Sequence, residues 1–184
     1  MAYNLNNKLV IAISSRALFD LEEENQIFEK DGLDAYYKYQ LENEDKSLKK
    51  GTGYRLVENI LKINSFFSSD ERQVEVIILS KNNAATSLRI TNAINDLKLD
   101  IIRSAWTSGT NISNYLKAFK VDLFLSADDN DVLNAIENGV AAAKILHSNE
   151  NIHNISNEQV RIAFDGDAVL FSEESELVYK NHGL

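Results

Sequence analysis

The sequence has no cysteine and no proline, and only one methionine and one tryptophan in 184 residues. Without cysteine, disulfides and thiolate zinc sites are excluded, and the chain suits a reducing, cytoplasmic setting. Nothing beyond compositional drift in an Asn-, Lys- and Ile-rich chain accounts for the missing proline. No apolar run approaches the roughly 18 residues needed to span a bilayer, so no membrane partner is expected. The opening "MAYNLNNKLVIAISS" lacks a basic region and a long apolar core, so no signal peptide is expected either. Positive charge is scarce: 19 Lys and Arg stand against 28 Asp and Glu, for a formal net charge of −9. That balance argues against a nucleic acid polymer as partner, which would need clustered Lys and Arg. An anionic small substrate stays open if its site supplies local positive charge or a metal.

What is present suffices for one domain with a real core, since 44% of the residues are hydrophobic. "KLVIAI" (Lys8 to Ile13) is short and β-branched and reads as a buried strand. "ALFDLEEENQIFEKDG" carries Leu18, Leu21, Ile27 and Phe28 near helical spacing, with Gly32 as a stop, and "LDAYYKYQLENED" continues as a second helix. "KSLKKGTG" reads as a loop and "YRLVENILKINSFF" as an amphipathic helix. "VEVIILS" (Val74 to Ser80) is almost continuously apolar, as in a parallel sheet covered on both faces. "AATSLRITNAINDL" is predicted helical, with Leu88, Ile94 and Leu97 in the core. "DIIRSAW" reads as a strand, "NISNYLKAF" as a helix and "VDLFLSA" as a strand. "DDNDVLNAIENGVAAA" opens with acids that suit a helix N-terminus, and Val132, Ile136 and Val140 recur every fourth residue. "KILH" is predicted as a short strand, followed by a polar linker. "VRIAF" reads as the last strand and "SEESELVYKN" as the last helix. Alternating strands and helices predict an α/β fold with a mainly parallel sheet flanked by helices. In such sheets function sits at the carboxyl ends of the strands.

The chain also repeats itself. "IAISSRALFDLEEENQIFEKDGL" (Ile11 to Leu33) aligns without a gap on "IAFDGDAVLFSEESELVYKNHGL" (Ile162 to Leu184), at a constant offset of 151 positions. The Ile-Ala pair, a central Ala, the Glu-Glu pair and the closing Gly-Leu are identical. Duplication explains a gapless match over the whole stretch better than a generic likeness between strand–helix units. The copies part at one place, where Ser14-Ser15-Arg16 of the first stands against Asp165-Gly166-Asp167 of the second. Residues 1–157 then form a first α/β repeat, and residues 158–184 are the first strand and helix of a second.

Asp-Gly between two apolar runs is a local hairpin signal. The helical character of both aligned copies argues against that reading, and the further ligands of a calcium loop are absent. A carboxylate at the end of a parallel strand can instead attack phosphorus and form an aspartyl-phosphate. A second acid two residues on can protonate the leaving oxygen and later activate water. Such attack needs Mg²⁺ to bridge carboxylate and phosphate, and a glycine between the acids lets the backbone come close.

"IAFDGDAVLF" resembles the first motif of the haloacid-dehalogenase-like phosphatases, which have a Rossmannoid fold. "IAISSRALFDLEEEN", "GLDAYYKYQLENE" and "VDLFLSADDNDVLNAIENGVAAAKI" join it in a whole-chain resemblance to the cytosolic 5′-nucleotidase type I family. The resemblance implies Mg²⁺-dependent hydrolysis of nucleoside 5′-monophosphates in the cytoplasm. It implies Asp165 as nucleophile, Asp167 as general acid/base, both as metal ligands, and Gly166 against the phosphate. Family members continue past this point, where the remaining motifs of the second copy would stand. The first copy has positional analogues of those motifs: Ser80 and Lys117 toward phosphate, Asp128 and Asp129 toward the metal. Each also has a plain structural reading, as a strand-end cap, a solvated helix residue and helix N-terminal acids. The alternative reading is a catalytically incomplete piece that binds a nucleotide or pairs with another subunit, with exposed apolar surface on the last strand favouring a homo-oligomer. His147, His153 and His182 lack ligand spacing. Trp106 could line a base pocket or sit in the core. Arg16 and Lys81 could meet phosphate or form surface salt bridges.

Overall fold

The run Leu9–Ile13 forms strand β1, and its burial on both faces explains its unbroken hydrophobicity. Ile11 and Ile13 enter one core cluster, while Val10 and Ala12 enter the other. Alternate residues of a strand point to opposite faces, so both sets must be apolar when both faces are covered. The computed structural model describes residues 4–147, 159–166, 169, 172 and 174–183. Asp167 and His153 lie outside the described residues.

β1 is central. It pairs in parallel with β4 (Val74–Ser80) on one side and β6 (Leu123–Ser126) on the other. β5 (Arg103–Trp106) extends the sheet beyond β4, and β7 (Ala141–Lys144) extends it beyond β6. The order is β5-β4-β1-β6-β7, all parallel. One face is covered by α3 (Tyr54–Leu61) and α4 (Leu88–Asp96), through Val57, Ile60, Ile90 and Ile94. The other is covered by α5 (Ser113–Ala118) and α6 (Asp129–Glu137), through Leu116 and Ala135. Phe19, Ile77 and Phe124 are fully buried, and each such side chain contributes roughly 1.5–3 kcal/mol. The chain builds outward from β1 to β5 and then crosses back to β6, so the strand order reverses beside β1. That reversal opens a crevice at the strands' carboxyl ends.

Between β1 and α3 the chain makes a compact excursion. Helix α1 (Ser15–Leu18) leads into β2 (Phe19–Asp20), which pairs antiparallel with β3 (Lys49–Lys50). The stretch expected as a loop thus contains a strand, held there by its glycines. A Cβ on Gly51 would sit 2.7 Å from the Phe19 carbonyl carbon, and one on Gly53 2.6 Å from the Ala17 oxygen. Helix α2 (Glu22–Glu42) runs through a break at Gly32, whose φ of 84° and ψ of −175° suit glycine. Gly183, 151 positions on, also has positive φ, 69°. It follows α7 (Glu174–His182).

Several expectations are corrected. Val160–Phe164 forms no strand, and Val160, Ile162 and Phe164 are exposed. A strand needs a ladder partner, and Val160–Phe164 pairs with no strand among the described residues. Leu88, assigned to the core, is 42% exposed, because α4 buries Ile90, Ala93 and Ile94 instead. Ile136 is likewise exposed, and Ala135 fills the core of α6. The strand expected at "KILH" lies earlier, at Ala141–Lys144, because α6 ends at Glu137 and Gly139 turns the chain with φ of 76°. No helix among the described residues is long and apolar enough to cross a membrane.

Candidate functional site

Three strand ends build the floor of a cavity of about 760 Å³. After β1, Ser14 caps α1. Its Oγ accepts from the Ala17 and Ala127 amides, both at 3.4 Å, tying the end of β1 to the end of β6. Ser15 Oγ lies 3.0 Å from Ser80 Oγ, tying the end of β1 to β4. After β6, Ser126 Oγ accepts from the Asp128 amide at 3.2 Å. Asp128 then caps α6, accepting from the Asp131 amide at 2.9 Å. Serine and aspartate suit these places because their side chains satisfy helix N–H groups that have no backbone acceptor.

The loops after β4 and β5 are stitched together by backbone bonds. Thr107 N donates to Ser80 O (2.9 Å), Ser108 N to Asn82 O (3.1 Å) and Gly109 N to Lys81 O (2.7 Å). Lys81 Nζ reaches across the cavity to Asp131 Oδ1 at 2.6 Å. Arg16 sits at the rim, 3.6 Å from Glu22.

Helix α2 supplies the opposite wall. Its break at Gly32 places Phe28 and Tyr36 together, with ring centroids 5.9 Å apart and edge-on at 77°. Tyr36 Oη donates to Asn82 Oδ1 at 3.1 Å and accepts from Gln40 Nε2 at 3.0 Å. Burial pushes the Tyr36 phenol above its ordinary pKa, so it is a hydroxyl donor across the neutral range. Glu24 of the same wall is held by Arg89 of α4 at 2.5 Å, and both side chains are buried.

The structure brings Ser80 and Asp128 together with Ser14, Ser15, Arg16 and Lys81 around this cavity. It does not bring in the others. Lys117 is exposed in the last turn of α5, which leads back toward the amino end of β6. Asp129 turns away to Lys144, at 2.7 Å. Asp165 is exposed and Gly166 half-buried, in a segment that joins no strand, and neither lines the cavity. Trp106 packs against the core. His147 and His182 are exposed.

No group of three or more His, Asp or Glu side chains among the described residues could hold a metal. Asp128 is engaged as a cap and Asp129 as an ion-pair partner, so the two do not fit an Mg²⁺ site in this arrangement. The carboxylates of Asp165 and Asp167, two residues apart in sequence, are the hard oxygen donors that Mg²⁺ takes. Sequence reasoning missed Tyr36, Gln40, Asn82 and the Glu24–Arg89 pair. They meet through the fold from α2, the β4 loop and α4, and no local pattern announces them.

Comparison with known proteins bears on the whole chain. A family model described as 5′-nucleotidase matches residues 1–184. Human cytosolic 5′-nucleotidase 1B is 36% identical over 182 residues, covering 97% of this chain and 30% of that protein. The chain therefore spans less than a third of the length of this curated relative. On the match along its full length, the chain belongs to the 5′-nucleotidase family.

Proposed function

We propose that this chain serves the hydrolysis of nucleoside 5′-monophosphates to nucleoside and phosphate, in the cytoplasm, through Asp165 and Asp167. The observation that carries the reading is the family match, which runs unbroken through "FDGDAV". The name of the human relative supports the substrate class and the cytosolic setting.

The Asp165 carboxylate attacks phosphorus, and the bond from phosphorus to the 5′ oxygen breaks. Asp167 gives its proton to that oxygen, so the nucleoside leaves as a neutral alcohol. Asp167, now a carboxylate, takes a proton from water. The resulting hydroxide attacks the phosphorus of the aspartyl-phosphate, releasing phosphate and restoring Asp165. Gly166, without a side chain, leaves the backbone N–H groups free to approach the phosphate oxygens. Asp165 and Asp167 would hold Mg²⁺, which supplies charge neutralisation between carboxylate and phosphate.

Hydrolysis of AMP by the chain, with Mg²⁺ and with EDTA, tests this against Asp165→Asn. Mg²⁺-dependent turnover lost in the variant is expected. Uncatalysed phosphate-monoester hydrolysis is so slow that acceleration reaches about 10²¹, so activity stands clear of background. Equal rates for wild type and variant would remove Asp165 from the mechanism.

A further inference from the structure

The chemistry at Asp165 leaves unused the cavity above β1. Its floor is rich in hydrogen-bond donors for a specific reason. A hydroxyl has two lone pairs and one hydrogen. Ser14 and Ser126 accept backbone N–H groups and keep their own hydrogens to give. Ser15 and Ser80 share one hydrogen between their oxygens, which leaves the other to donate. Asn82 Nδ2 is buried with no hydrogen-bond partner among the described residues, since Tyr36 occupies the amide oxygen and nothing meets the nitrogen.

Each carboxylate that lines the cavity has a partner for one oxygen, Glu29 taking Asn25. Asp131 takes Lys81, Asp128 takes the Asp131 amide, and Glu24 takes Arg89. What the floor lacks is a compact group with several acceptor oxygens, which is the chemistry of a phosphate. Arg16 and Lys81 flank that position. The volume far exceeds one phosphate and falls in the range of small-molecule sites. Beyond the floor stand Leu21, Phe28, Leu33 and Tyr36, an apolar and aromatic wall.

We infer that this cavity binds a nucleoside 5′-monophosphate without metal and without turnover. The phosphate sits on the serine floor between Arg16 and Lys81, and the base lies between Phe28, Tyr36 and Asn82. The ligand class rests on the reading proposed above, while the site itself rests on the cavity. Ser14 stands where the aligned copy has Asp165, so the end of β1 offers no carboxylate to attack phosphorus. Lys81 pairs with Asp131, and no group of three or more carboxylate or imidazole side chains among the described residues could hold a metal there. Glu24, Glu29, Asp128 and Asp131 bring negative charge to the same space, so the affinity depends on Arg16 and Lys81.

Calorimetry of AMP binding to the full chain in EDTA tests this. Wild type and Asp165→Asn are expected to bind alike, with adenosine clearly weaker. Lys81→Met and Arg16→Gln are each expected to weaken binding about tenfold or more, as for loss of a charge-assisted hydrogen bond. The Arg16 side chain is 38% exposed, so Arg16→Gln keeps the test readable if Lys81→Met misfolds. No binding in EDTA would overturn the inference, as would adenosine binding as tightly as AMP. Binding lost in Asp165→Asn but kept in both cavity variants would also overturn it, while leaving the role of Asp165 standing.

Discussion

Replacing Arg89 with Met isolates what the buried ion pair behind the cavity contributes. Arg89 Nη1 lies 2.5 Å from Glu24 Oε1, with side-chain exposures of 8% and 6%. Arg89 also donates from Nε to the Lys46 carbonyl at 2.9 Å and stacks 6.0 Å from the Tyr39 ring centroid. It therefore binds α4 to both ends of the segment that forms the cavity wall. Arg89→Met leaves a carboxylate buried without its cation and a carbonyl without its donor. Breaking one side of a buried pair costs about 3–5 kcal/mol, against about 0–1 for a surface pair. For a chain of this size, each kcal/mol moves the thermal midpoint by about 2–4 °C, so a drop of roughly 6–20 °C is expected. Urea unfolding followed by circular dichroism gives the free energy directly. The double variant Arg89→Met with Glu24→Leu removes both charges and should recover most of the loss. A loss below about 1 kcal/mol for Arg89→Met would refute the reasoning, because it would mean that water reaches Glu24. A double variant no better than the single one would show that packing, not the stranded charge, sets the cost.

Other outcomes follow from the same geometry. Burial, with the Glu58 carboxylate adding to it, pushes the Tyr54 phenol up to about 12. The folded state therefore favours the neutral phenol. That stability is fully present below pH 10, the ordinary tyrosine value, and is lost as pH rises toward 12. Denaturant midpoints across pH 9–12 should fall more steeply for wild type than for Tyr54→Phe, and parallel curves would count against it. Gly53→Ala would press a methyl group to 2.6 Å from the Ala17 oxygen, a backbone atom that also accepts from the Gly53 amide at 2.9 Å. A loss of about 1–3 kcal/mol is expected by chemical denaturation, as for other overpacked sites. The turnover assay with Asp165→Asn and the binding assay with Arg16→Gln and Lys81→Met separate the two proposed phosphate sites.

The sequence by itself determined the α/β class, because unbroken apolar strands alternate with one-sided helices and only a sheet covered on both faces satisfies both. It also placed β1, β4 and β6, whose short apolar runs read as strands. It carried the family, since that resides in residue order. It misjudged details that depend on which neighbour a face meets: Leu88 and Ile136 have helical spacing yet face water, while Ala93 and Ala135 fill the core. Only the tertiary structure decided the cavity. Ser14, Ser80 and Ser126 end three strands far apart in sequence, and the parallel register sets them side by side. Lys81 finds Asp131, and Tyr36 finds Asn82, across gaps that local pattern does not encode. The same physics governs "VRIAF". Its composition suits a strand, but a strand forms only where another strand completes its hydrogen bonds, and this segment joins none of the described strands.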